Sequence, residues 1–385
     1  MVRFFAVANV LIFGDTLRDP ELRHELPIGI GDAFFYAEVD GARHVVISQM
    51  EIPRLAELGL PLELHPNEEF GSDELFEEGL DGDEIQQRVV VRFCEQHRID
   101  EAIVPDRFPV RIADALRSAG IGLAPRKDFF SDRRRSKTDA ELAGIRRAQA
   151  AAAAGMGAAA DLFRRAEVRD GDAFVDGEPL TSERVKRTLL AIFLEHDTTA
   201  DELIVSHGPQ TAVGHDMGSG TIRAGEPIVI DIWPRDNESA CYTDMTRTFV
   251  IGEPPAELAE WQRTVREALD ASIREIRPGA RGRAVFDAAC DVIEAAGHPT
   301  QRTKEPGKPL DEGFYHGLGH GVGLEVHEAP GMGRIDKHEL VAGDVVTVEP
   351  GIYRQGFGGV RLEDIVLVTE SGAENLTDFP YDLNP

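Results

Sequence analysis

Lysine is nearly missing from this chain, with six residues in 385 against thirty-five arginines. Acidic side chains far outnumber that basic complement, and the formal net charge is −28. A field of that sign repels phosphate backbones and anionic bilayers, which excludes nucleic acid and membrane surfaces as partners. Cysteine is scarce too. Cys94, Cys241 and Cys290 are odd in number and unclustered, so neither a disulfide framework nor a thiolate metal site is expected, and a reducing cytoplasm fits. No apolar run approaches the roughly 20 residues that a membrane span needs. The apolar opening from Met1 to Asp15 is interrupted by Asn9, and Ala6-Val7-Ala8 comes too early for a signal-peptidase site, so it is expected as a first strand. Dispersed acids with so little lysine suit a salt-rich cytoplasm, where ions screen self-repulsion to within about 3 Å at 1 M. A halophilic source is expected.

What the chain does have begins with length. At 385 residues it exceeds one ordinary core, and two domains are expected. Residues 1–130 read as a small α/β unit and residues 138–385 as a larger α+β unit. In the first, runs at 33–39 and 44–48 flank Asp40-Gly41, a two-residue hairpin signal. Helical patterns follow at 51–58, 83–97 and 110–118, with short strands at 101–104 and 121–124. No cluster of His, Cys or paired acids suggests chemistry there, so the unit is assigned to packing, recognition or oligomerisation. His24, His44, His65 and His97 read as surface or capping residues. Residues 128–137, with the basic run Arg133 to Arg135, read as a solvated linker; phosphate binding is the alternative. Beyond it, Thr138 and Glu141 form a capping box for a long helix. Further helices are expected at 181–196, 255–277 and 283–296. Strands are expected at 202–206, 227–233, 245–251, 344–350 and 360–369, giving an antiparallel sheet with helices on one face.

The chemistry centres on 314–330, Phe-Tyr-His-Gly-Leu-Gly-His-Gly-Val-Gly-Leu-Glu-Val-His-Glu-Ala-Pro. His316, His320 and His327 fall within twelve residues, spaced by glycines that would each cost a helix about 0.8–1 kcal/mol relative to alanine. An irregular loop feeding a strand at 324–327 is the expectation. Taken alone, the block serves equally well as a ligand site or a glycine-rich turn. Four acids on separate apolar strands decide between them: Asp231, Asp244, Glu349 and Glu363. A carboxylate inside a buried strand is costly unless it is paired or binds a cation. Four of them with one imidazole suit Mn²⁺, Co²⁺, Fe²⁺ or Zn²⁺ and are enough for two adjacent ions, which points to metal-assisted hydrolysis.

The order Asp, Asp, His, Glu, Glu resembles the pita-bread metallopeptidases, the methionine aminopeptidase, aminopeptidase P and prolidase family. The resemblance rests on Thr-Asp-Met-Thr-Arg-Thr-Phe, Gly-His-Gly-Val-Gly-Leu-Glu-Val-His-Glu, Val-Glu-Pro-Gly-Ile-Tyr and Arg-Leu-Glu-Asp, and covers Thr138 to the C-terminus. The first unit resembles the extra domain of aminopeptidase P, prolidase and creatinase. The resemblance implies a pita-bread catalytic domain behind a creatinase-like α/β domain, two divalent ions with Mn²⁺ foremost, and a homodimer. It implies that Asp231 holds one ion, Asp244 and Glu363 bridge both, and His320 and Glu349 hold the second. Glu349 would also carry the proton between water and leaving amine. His327, His215 and His316 would face the substrate, and Arg361 would support the ligands. Asp231 and Asp244 are thirteen residues apart, a longer hairpin than the family's usual one; an even-numbered insertion keeps both acids on one face. His207 and the remaining histidines carry no implied role.

The function so implied is hydrolysis of the Xaa-Pro bond, in dipeptides or at the N-terminus of longer peptides with proline second. Two alternatives stand beside it. One is a binding module that has lost catalysis; the other is a creatinase-type amidinohydrolase, which lacks the full acidic set.

Overall fold

The computed structural model describes residues 8–385. The first seven residues of the expected opening strand lie outside that range. The chain divides into two compact units, Met1–Arg134 and Arg135–Pro385.

The first unit is built on a six-stranded mixed sheet. Its order is Leu62–Pro66, Ala42–Ile47, Phe34–Val39, Val10–Gly14, Glu101–Val104, Gly122–Pro125. Asp40 and Gly41 turn the central hairpin with φ of 51° and 85°, the left-handed pair that such a two-residue turn demands. The helices Gly82–Gln96 and Val110–Ser118 cover one face through Val89, Phe93, Ile112 and Leu116. Residues 127–135 form a helix instead of the expected linker. Phe130 is buried in the core of the other face, while Arg133 pairs with Glu38 at 2.7 Å and with Glu25 at 2.9 Å. One apolar stripe and local acid partners thus override a composition that looks solvated.

In the second unit two helix pairs back two groups of antiparallel strands. Thr138 and Glu141 close their capping box, and Asp139–Arg164 packs with Ser182–Glu195 over the strands Leu203–His207, Pro227–Ile232 and Met245–Val250. Alanines on the long helix allow this close approach. Ala256–Glu275 and Gly282–Ala295 pack over a five-stranded sheet, ordered Glu328–Met332, Gly319–Gly321, Val345–Val348, Asp364–Thr369, Gly372–Asn375. A third sheet includes Gly351–Arg354 and Gly358–Arg361. The single strand expected at 360–369 is therefore two, broken at Leu362 and Glu363, and a bridge between Thr246 and Glu363 joins the strand groups at that break. Arg247 secures the junction from beneath. Only 1% exposed, it donates to the carbonyls of Thr246 and Glu363 at 2.9 and 2.8 Å and pairs with Asp364 at 2.9 Å.

The histidine block also differs from expectation. His320 lies in a strand, Gly319–Gly321, and the next strand starts at Glu328; 324–327 is a bend. A Cβ at Gly319 would lie 2.1 Å from the Thr347 carbonyl oxygen, and one at Gly321 would lie 2.3 Å from that of Ala329. These glycines are required by neighbouring strands pressed against them.

Candidate active site

Every nominated residue lines one cavity of about 680 Å³ in the second unit: Asp231, Asp244, His320, Glu349, Glu363, His215, His316, His327 and Arg361. Strand register brings the acids together. Asp231 is opposite Thr246, so Asp244, two residues earlier, emerges on the same face as Asp231. Thr246 is bridged to Glu363 and donates to it at 2.7 Å. The longer hairpin leaves this parity intact, and its tip is tied down elsewhere, Asp236 accepting from Arg147 at 2.9 and 2.8 Å.

His320 meets the acids at the cavity floor. Its Nε2 lies 3.8 Å from Asp244 Oδ2 and 3.5 Å from Glu349 Oε1. Its Nδ1 is 3.0 Å from the Gly321 carbonyl oxygen. A carbonyl only accepts, so Nδ1 holds the proton and Nε2 presents its lone pair to the carboxylates. Burial, with His327 adjacent, lowers the His320 pKa to about 4, so the ring is neutral at neutral pH. Asp244, His320 and Glu363 each offer a ligand atom within 4.8 Å of the others.

The acids themselves show what the cavity needs. Burial, then the charges of Glu363, Asp231 and Glu349, push the Asp244 carboxyl far above its usual range. Burial, with Glu349 and Asp231 beside it, does the same to Glu363. Burial lifts Glu349 to about 7, against the opposing pull of Arg361. Carboxylates held this close in a dry pocket cannot all ionise without cations among them. Hard oxygen donors with one neutral imidazole fit divalent metals.

Arg361 organises the rim. It donates to Asp231 Oδ2 at 2.6 Å, to the Tyr353 hydroxyl at 3.2 Å and to Thr246 Oγ1 at 3.3 Å. Tyr353 in turn stands 2.8 Å from His316 Nε2. Since His316 Nδ1 donates to the Gly317 carbonyl at 2.7 Å, Nε2 is the acceptor and Tyr353 the donor. Both His316 nitrogens are therefore engaged within the protein. Burial, with Arg361 nearby, drops its pKa to about 3. His327 packs edge-on against His320 with ring centroids 4.2 Å apart, and His215 lines the same wall. His207, by contrast, approaches Glu226 and the Ser219 carbonyl, a structural arrangement.

Sequence reasoning missed Tyr353, Thr246 and Thr347, whose hydroxyl accepts from the His320 amide at 3.1 Å. Tyr353 and Thr246 belong to motifs that drew notice only for their acids. An alternation of hydroxyl and acid, Thr246 two after Asp244 and Thr347 two before Glu349, was the available signal.

Residues 143–370 match the profile of the metallopeptidase family M24. The Xaa-Pro dipeptidase of Pyrococcus furiosus is 36% identical over 179 residues, 46% of this chain and 47% of that protein. A probable dipeptidase, PepE, of Mycobacterium tuberculosis is 37% identical over 194 residues, 50% of this chain and 48% of that protein. The chain thus spans about half the length of the curated relatives it matches. Among solved structures, a prolidase from Pyrococcus furiosus superposes with a TM-score of 0.74 at 22% identity, covering 97% of each chain. A Xaa-Pro dipeptidase from Bacillus anthracis gives 0.77 at 23%, covering 98% of this chain and 94% of that one. At such identities the likeness speaks to the fold, a smaller N-terminal α/β domain and a pita-bread C-terminal domain.

Proposed function

Because this chain belongs to the metallopeptidase family M24, we propose that it is a two-metal peptidase hydrolysing the Xaa-Pro bond. The substrates are dipeptides or longer peptides with proline in second position. The observation that carries this reading is the cavity floor, where four carboxylates converge on a neutral His320 and Arg361 is the one permanently charged cation among the described residues lining it. Asp231, Asp244, His320, Glu349 and Glu363 would hold the ions. Manganese is the proposed metal, with Co²⁺, Zn²⁺ or Fe²⁺ as alternatives of similar ligand preference.

When bound, such ions supply Lewis-acid polarisation of the scissile carbonyl and make the attacking water more acidic. The chain's own groups account for positioning and proton transfer. Glu349 accepts the proton from the water and returns it to the proline nitrogen, which has no hydrogen of its own in the peptide. His327, beside His320, contacts the carbonyl as charge develops there, and His215 lines the side where the N-terminal residue sits. His316 acts through Tyr353, whose hydroxyl it orients, and Arg361 fixes Asp231 by donating to its Oδ2. The intact acidic set weighs against both a binding module and a creatinase-type hydrolase.

The test is an assay of Xaa-Pro dipeptides against Xaa-Pro-Xaa tripeptides, before and after chelation and with Mn²⁺ restored. Cleavage that vanishes on chelation and returns with Mn²⁺ is expected. Unchanged activity after thorough chelation would sink the two-metal mechanism, and turnover of neither substrate would sink the Xaa-Pro assignment.

The same reading extends to the molecule's setting: a salt-rich cytoplasm, supported by the acid excess and the lysine shortage, and a homodimer, which follows from the family resemblance alone. No helix among the described residues is long and apolar enough to cross a membrane.

A further inference from the structure

The first unit, where the sequence showed no chemistry, holds a histidine cluster of its own. His44 lies on the strand Ala42–Ile47 and pairs in parallel register with Glu63 on the edge strand Leu62–Pro66; His65 follows two residues on, its side chain on the same face as Glu63. His97 caps the C-terminus of the helix Gly82–Gln96 above them. His44 Nδ1 is 3.2 Å from His65 Nε2 and 3.4 Å from Glu63 Oε2. The ring of His97 stands 4.7 Å from that of His44, centroid to centroid.

We propose that His44, His65 and Glu63 form a mononuclear site for a divalent transition-metal ion of the zinc type, separate from the catalytic cavity. Three observations point the same way. The first is the bite. Ligand atoms about 2.0–2.1 Å from a tetrahedral Zn²⁺ lie roughly 3.3–3.4 Å from one another, close to the separations at His44. The second is tautomer control. His65 Nδ1 stands 2.9 Å from Glu69 Oε2, so Nδ1–H donates to the carboxylate and the Nε2 lone pair is turned toward His44. Carboxylate–histidine–metal chains are built this way. Two imidazole nitrogens that face each other at this distance must share either a proton or a cation. The third is His97. Its Nε2 atom is shielded from solvent and has no hydrogen-bond partner, and a water completing the tetrahedron would provide one. Such an ion would clip the edge strand to its neighbour, where backbone pairing is one-sided.

The experiment uses the full chain stripped by chelation, with Zn²⁺ titrated against a chromophoric competitor. It compares wild type with His65→Gln and with Glu63→Gln, a substitution at a largely exposed side chain that leaves packing untouched. Each is repeated in an Asp244→Ala background to reduce binding at the cavity. The expected result is one zinc equivalent that persists in Asp244→Ala, is weakened at least about a hundredfold by His65→Gln and about tenfold by Glu63→Gln. Circular dichroism confirms that each variant is folded, and a misfolded His65→Gln leaves the decision to Glu63→Gln. Stoichiometry and affinity that are the same in wild type and Glu63→Gln overturn the proposal, as does an Asp244→Ala protein that binds no zinc.

Discussion

At the scale of single residues, the cavity works by withholding compensation. Asp244 and Glu363 are buried among like charges, a strain that bound cations would relieve. Asp244→Ala removes an acid that touches both the His320 side and the Glu363 side. It is expected to lower metal content and to cut turnover by more than about a hundredfold, the upper range for losing an outer-shell partner. Metal analysis with a dipeptide assay checks this, and near-normal activity would refute the ligand assignment. Glu349 gives a second prediction. Its pKa in the fold is raised from 4.5 to about 7, so the folded state binds the proton more tightly than the unfolded chain. That stability is fully present below pH 4.5 and is lost as pH rises towards 7, on the order of 3 kcal/mol. Metal-free Glu349→Gln should have a flatter dependence of its unfolding midpoint on pH over this window. Parallel slopes for wild type and variant would show that Glu349 does not titrate as described.

At the scale of elements, much of the site was legible because local signals agree with the global fold. Asp231 lies on the strand Pro227–Ile232 and Asp244 immediately before Met245–Val250, strands whose alternation is plain, and the capping box at Thr138 and Glu141 marks a helix start without ambiguity. Where the sequence misled, a non-local contact was responsible. The break at Leu362 and Glu363 follows from the bridge to Thr246, more than a hundred residues away. His44, His65 and His97 looked unremarkable because only the parallel pairing of two strands and a helix end brings them together. The 127–135 helix was hidden by charges whose partners, Glu25 and Glu38, lie far back in the chain. Gly319 and Gly321 of the histidine block answer to the carbonyls of Thr347 and Ala329 on neighbouring strands, which no local signal reveals. Gly321→Ala should therefore push neighbouring strands apart and displace His320. A loss of about 3 kcal/mol, at the upper end for overpacking, is expected in urea unfolding, together with weaker metal retention. A variant as stable as wild type would mean that the sheet accommodates a methyl group.

At the scale of the whole molecule, the charge dominates. A net charge of −28 repels itself across the surface, and the few lysines leave counterions as the principal screen. Dialysis from molar salt into dilute buffer is expected to unfold the chain, read by loss of the far-ultraviolet dichroism signal. A protein that remains fully folded in dilute buffer would remove the case for a salt-rich setting, without bearing on the catalytic assignment.

Arg247 carries one more consequence. Its guanidinium holds the Thr246 and Glu363 carbonyls and Asp364 from below, so the backbone that carries Glu363 is anchored by a fixed internal cation. An exchangeable ion is not needed to keep it in place. Emptying and refilling the cavity should then be free of hysteresis. Protein kept metal-free for a day in high salt should regain the same activity, at the same speed, as protein stripped for an hour. A slow or partial return in stopped-flow reloading would mean that the cavity floor has to be rebuilt each time.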